Sequence, residues 1–144
     1  MASTKTRAAE ALFPLLSSFH ALNGLSLKAV RETRVDEMVV SIVLDFDSKL
    51  LILAADEDND TIELVVRDSS DSEQPPPGGE KGHSSPWQGF IQKKFGWGWV
   101  TINQQGYLDG VLLSFDGINP QLIVTVVASS LKVSHIDGKT RMGT

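Results

Sequence analysis

The chain has no cysteine. No disulfide, thiolate nucleophile, CxxC redox pair, or cysteine-based zinc or iron–sulfur site can form. The absence also fits a reducing compartment. Histidine is scarce: His20, His83 and His135 stand apart, and no pair has metal-ligand spacing. Bases are outnumbered, 13 Lys+Arg against 18 Asp+Glu, giving a net charge of −5 and a pI near 5.1. Nucleic-acid binding needs a cationic footprint, so no nucleic-acid partner is expected. Long apolar runs are missing too. Stretches such as Leu50 to Ala55 fall far short of a membrane-spanning helix, so no membrane partner is expected. The N-terminal MASTKTRAAEALFPLL has a short basic start but no clean apolar core or cleavage site. It reads as part of the mature protein, and the expectation is a soluble cytoplasmic protein. There is no GxSxG, GxGxxG or GxxxxGK[ST], so the hydrolase elbow and the phosphate cradles are excluded. No catalytic residue and no cofactor is indicated.

What is present is the pattern of one small domain. At 144 residues and 15.7 kDa, a chain buries roughly 68% of its unfolded surface, enough for a core without staples. The apolar residues Ala8, Leu12, Leu15, Leu16, Phe19 and Leu22 recur at three- and four-residue steps. That spacing predicts a helix from about Thr6, kinked by Pro14 or starting near it, and stopped by Asn23-Gly24. The period then changes to two. Strands are expected from Leu25 to Val35, Met38 to Phe46, Leu50 to Ala55 and Thr61 to Arg67. Residues 68–86, DSSDSEQPPPGGEKGHSSP, hold no large apolar side chain and read as a flexible loop within a single domain. A short helical turn is expected in Trp87 to Phe95. WGWVTIN, Tyr107 to Phe115 and one long strand from Gln121 to Val133 follow. The expected fold is α+β: an N-terminal helix on a curved, mainly antiparallel sheet of about seven strands. The alternative is a small β-barrel or sandwich with the helix at one end.

Three segments could carry chemistry. Between Asp36 and Glu73 stand 12 acids and only two bases, Lys49 and Arg67, a local sum of −10. Within it, ADEDNDTIE carries Asp56, Asp58, Asp60 and Glu63. The alternation resembles a calcium loop, but Thr61 and Arg67 stand where glycine and a bidentate glutamate are needed. An acidic docking surface for a basic protein, or a plain solvated turn, fits better. The second segment, FGWGWVTINQQGYLDG, holds two of the three tryptophans and the only tyrosine. On a regular strand Trp97, Trp99, Thr101 and Asn103 share a face. They could form a platform with the amides of Asn103, Gln104 and Gln105, together with Tyr107 and Asp109. The ordinary reading of two tryptophans on one strand face is core beneath the helix, with Gly96 and Gly98 making room for neighbouring backbone. Third, Asp45 and Asp47 form a conceivable carboxylate pair, against the ordinary reading of a solvated strand end.

The helix ending in NGL, the acidic turn with DTIE, and W-x-W followed by NQQGY-x-DG and a last long strand resemble a family of small bacterial proteins of unknown function. The resemblance spans roughly residues 8–136 outside the 68–86 insert and implies no activity. In size, charge and fold class the chain is also similar to small acidic immunity proteins. The leading expectation is a non-catalytic protein-binding module, an immunity-type inhibitor or adaptor, using its acidic surface. The alternatives are a small-molecule binder or enzyme with its site at WGWVTINQQGYLDG, and a self-associating structural protein, a homodimer built on strands such as 121–133.

Overall fold

The helical stripe of the sequence becomes α1, Ala8–Leu22. The computed structural model describes residues 8–56, 60–69, 80–81 and 86–136, with side chains from Pro14 onward except those of 80–81. The helix runs through Pro14, whose carbonyl accepts the Ser18 hydroxyl at 2.9 Å. Leu15, Phe19 and Leu22 are buried, while Leu16, which the spacing puts on the same face, is 42% exposed. Gly24 takes the left-handed conformation that ends the helix, with φ +87°. The chain is fastened there to a later strand: Asn23 Nδ2 donates to the Gly96 carbonyl at 2.6 Å, and Gly24 N to that of Phe95 at 2.9 Å.

Four long antiparallel strands follow as successive hairpins: β1 (Ala29–Val35), β2 (Met38–Asp45), β3 (Lys49–Asp56) and β4 (Thr61–Asp68). Their inward row Val30–Leu44–Leu51–Val66 is in register, as is Ile42–Leu53–Leu64. These residues lie on the face that the period-two pattern predicts. A two-residue strand, β5 (Glu80–Lys81), adds to the edge of β1. It lies inside the stretch expected to be a flexible loop, most of which falls outside the described residues.

A second antiparallel sheet is a meander of β6 (Phe95–Ile102), β7 (Leu108–Phe115), β8 (Leu122–Val127) and β9 (Ser130–His135). A short 3-10 turn, Gln88–Phe90, precedes it, where the sequence predicts a helical turn. The single strand expected over 121–133 is instead a hairpin. Ala128 and Ser129 both have positive φ, 52° and 68°, and reverse the chain. Neither residue is a usual signal for a left-handed turn, so the sequence hides it. The strand expected from Leu25 also starts later. Residues 25–27 pair with 92–95, through Leu27 N to Lys93 O and Phe95 N to Leu25 O, and the first sheet takes over at Lys28, whose N–H donates to the Asp45 carbonyl at 2.7 Å.

One hydrophobic cluster draws on both sheets and the helix, with Phe19, Leu44, Leu53, Trp87, Phe95, Val111, Leu113 and Val124 among its members. The single curved sheet is therefore corrected to two sheets of four long strands, closer to the sandwich alternative. The reason is area. Each sheet has its own apolar face, and a 15-residue helix covers little more than one strand. Two facing sheets bury both faces. Among the described residues no helix is long and apolar enough to cross a membrane.

Candidate functional site

Antiparallel connectivity decides which loops meet. In the first sheet the β1–β2 and β3–β4 turns lie at one end. In the second sheet the β6–β7 and β8–β9 turns share an end. Asp60 joins these two ends: its carboxylate accepts the Ser129 N–H at 2.8 Å. All four turns therefore gather at one pole of the molecule. The helix terminus, the β2–β3 turn and the β7–β8 connection lie at the other.

This pole carries acids. Asp36 and Glu37 form the β1–β2 turn, both exposed and both left-handed, with φ 52° and 69°. Asp56 ends β3 half-buried, Asp60 is exposed with φ 53°, and Glu63 is exposed near the start of β4. Asp58 lies outside the described residues. Apolar side chains are exposed among them: Val35, Met38, Ile102 and Val127 are each 45–53% accessible. All four sit at strand ends beside these turns, where a monomer gains nothing from them. The sequence locates the acids but not these four, because their strands alternate regularly and only the topology makes them neighbours.

The second candidate segment divides. Trp97 packs against the core, its ring 5.9 Å from Phe19 in an edge-on arrangement. Trp97, Trp99 and Thr101 share a face as expected, pairing in unbroken register with Ser114, Leu112 and Gly110, but a bulge at Thr101/Ile102 lies between them and Asn103. Trp99 is half-buried and sits opposite Leu112, which pairs in turn with Ile123. Asn103 is used by its own turn: Oδ1 accepts Gln105 N at 2.9 Å and Tyr107 N at 3.1 Å. Asp109 accepts the Thr101 hydroxyl at 2.6 Å. Gln104 and Gln105 are exposed at the turn, and Tyr107 is half-buried. The tryptophans and amides thus do not converge on one platform. The turn itself lies at the same pole as the acids.

The carboxylates of Asp45 and Glu32 have structural partners. Asp45 accepts the Asp47 N–H at 2.8 Å and faces Arg31 at 3.6 Å, so the two aspartates are a turn and an ion pair rather than an acid–base couple. Glu32 carries no signal in the sequence. It points inward from β1, bonded to Arg34 at 2.7 Å and to the indole N–H of fully buried Trp87 at 3.3 Å. That arrangement ties the 86–90 segment to the first sheet.

The model of a family of unknown function, DUF6334, matches residues 11–139, and the chain belongs to that family. No curated protein matches the chain. No solved structure matches it either.

Proposed function

We propose that the protein is a non-catalytic binding module, an inhibitor or adaptor working in the cytoplasm, that docks a basic protein on its acidic pole. The observation that carries this reading is the Asp60–Ser129 bond, which gathers the turn acids and the exposed Val35, Met38, Ile102 and Val127 at one end. Fields from clustered acids steer a basic partner, and apolar spots among them supply contact area once it arrives. The alternative, a small-molecule site at 97–109, is less favoured: Trp97 packs beside Phe19, and the carboxamide oxygen of Asn103 is occupied by backbone N–H groups.

The test is capture from native lysate at low and high salt. Wild type is run beside Asp36→Asn/Glu37→Gln/Asp60→Asn, in which the new carboxamide at position 60 keeps an oxygen for Ser129. The captured protein is then identified and its affinity measured with purified components. A basic partner whose affinity falls about tenfold or more in the variant and with added salt is expected. A partner equally well bound by the variant and at high salt would sink the proposal.

A further inference from the structure

The outward face of the second sheet carries an apolar row that the core does not use. In an antiparallel sandwich, strands alternate apolar-in and polar-out. The inward row Val100–Val111–Val124–Val133 belongs to the hydrophobic cluster or packs against it. One residue along, the outward row is Trp99–Leu112–Ile123–Ser134. Trp99, Leu112 and Ile123 are half-buried, yet none of the three packs against that cluster. Three neighbouring strands thus each place a large apolar side chain outward, in register, as one patch. Such a patch marks a surface that another body covers.

The occupant follows from the charges beside the patch. The next outward row is Thr101–Gly110–Thr125–Lys132. Lys132, on β9, is exposed and makes no ion pair among the described residues. At the other end of the row Asp109 accepts the Thr101 hydroxyl through Oδ1 at 2.6 Å, which engages one carboxylate oxygen. The face therefore carries an acid beside β6, a base on β9 and apolar side chains in the adjoining row. When two copies stack outer face to outer face, on a two-fold axis running along the strands between β7 and β8, the rows stay aligned and the strand order reverses. β6 then lies over β9 of the second copy, and β7 over β8. Lys132 reaches Asp109, Leu112 meets Ile123, and bulky Trp99 meets small Ser134, each contact occurring twice. An axis across the strands instead lays Lys132 over Ile136 and Asp109 over Trp97 and Ser114, with no opposite charge for either. Complementary charges fix the orientation of an interface, and the apolar row supplies its buried centre.

We propose that the protein forms a homodimer by stacking the outer faces of its second sheets on this axis. The interface is isologous, as closed dimers require, and it packs sheet on sheet, as the core of each copy does. An axis parallel to the strands leaves both acidic poles at the same end of the dimer. The contact uses none of Asp36, Glu37 and Asp60. The inference is therefore independent of the docking proposal: that proposal fails or stands on the turn acids, this one on the outer face of the second sheet.

Light scattering over a concentration series tests it. Wild type is expected to dimerise. Lys132→Asp sets an acid against Asp109, and Ser134→Glu sets a charge against Trp99. Each is expected to weaken the dimer by about tenfold or more. Both positions are exposed, so neither change touches the core. Lys28→Asp makes the same charge change at an exposed position away from this face, and is expected to stay within about threefold of wild type. Adding Asp109→Asn to Lys132→Asp removes the repulsion and keeps an oxygen for the Thr101 hydroxyl. The pair is expected to regain about threefold or more in affinity. A second measurement uses the absence of cysteine. Thr125, on β8, lies beside the proposed axis, so the two thiols of a Thr125→Cys dimer come within reach of a short bismaleimide across sheets about 10 Å apart. Linking is expected well ahead of Ile118→Cys, at a 74% exposed site on the β7–β8 connection. A wild type that stays monomeric at every concentration overturns the proposal. So does a dimer indifferent to Lys132→Asp and Ser134→Glu, or a Thr125→Cys variant that links no faster than Ile118→Cys.

Discussion

Two glycines of β6 sit where neighbours leave no room for a side chain, Gly98 under the helix and Gly96 against the β7–β8 connection. A Cβ at Gly98 would lie 2.6 Å from Phe19 Cε1. That ring has little freedom to yield, being 2% exposed and packed against Phe95 and Trp97. Gly98→Ala is expected to lower unfolding free energy by about 1–3 kcal/mol, the usual cost of overpacking, in a urea titration. Phe19→Leu in the same chain should recover part of that loss if the clash is the cause. Gly96→Ala should cost more, since its Cβ would overlap the Gly117 carbonyl oxygen, which is backbone and cannot rotate away. At the opposite pole Asn103 acts through a single oxygen that accepts two backbone N–H groups. Asn103→Ala is expected to cost about 1–2 kcal/mol, and Asn103→Asp less, because aspartate keeps the acceptor. Equal losses in the two variants would show that the bonds do not hold the turn.

Among the elements, the tight turns separate what the sequence reveals from what it conceals. Met38 to Asp45 and Thr61 to Asp68 are legible through alternation and Lys49 to Asp56 as an apolar run, each with its breaks at polar residues. The NQQG turn is legible through its glycine. The β8–β9 turn is not, because alanine and serine stand at left-handed positions where glycine or asparagine would signal a reversal. Ala128→Asn/Ser129→Gly is therefore expected to stabilise the protein, by about 1 kcal/mol, through relief of that backbone strain. A lower urea midpoint in the variant would contradict this account. The sheet count is hidden for a different reason. Residues 25–27 continue the apolar pattern of β1 but bond to 92–95 instead, a long-range choice that local periodicity does not encode. The candidate site is legible in part. The excess of acids is visible in composition, whereas the company of Val35, Met38, Ile102 and Val127 depends on how the turns meet. Trp97 and Asn103 are ambiguous in the sequence between ligand and scaffold, and packing against Phe19 and turn bonding account for them as scaffold.

At the scale of the whole molecule the charge is polarised. The stretch from Asp36 to Glu73, with a local sum of −10, supplies the acids of the turn pole, and these repel one another in the free protein. Added sodium chloride should screen that repulsion and raise the urea midpoint between low and physiological ionic strength. A midpoint that falls with salt over that range would indicate that attractive pairs, such as Arg31–Asp45 and Lys93–Asp116, dominate instead. The bonding of 24–27 to 92–95 has a further consequence, for the order of folding. Each sheet is a meander of sequence neighbours, so its hairpins can form with little loop-closure entropy. The junction closes a loop of about 70 residues and yields contacts only after that entropy is lost. We expect the two meanders to organise first and the junction to close after the rate-limiting barrier. Asn23→Ala, which removes the bond to Gly96, should then speed unfolding and leave the refolding rate nearly unchanged. A refolding rate that slows in proportion to the lost stability would place the junction in the folding nucleus instead.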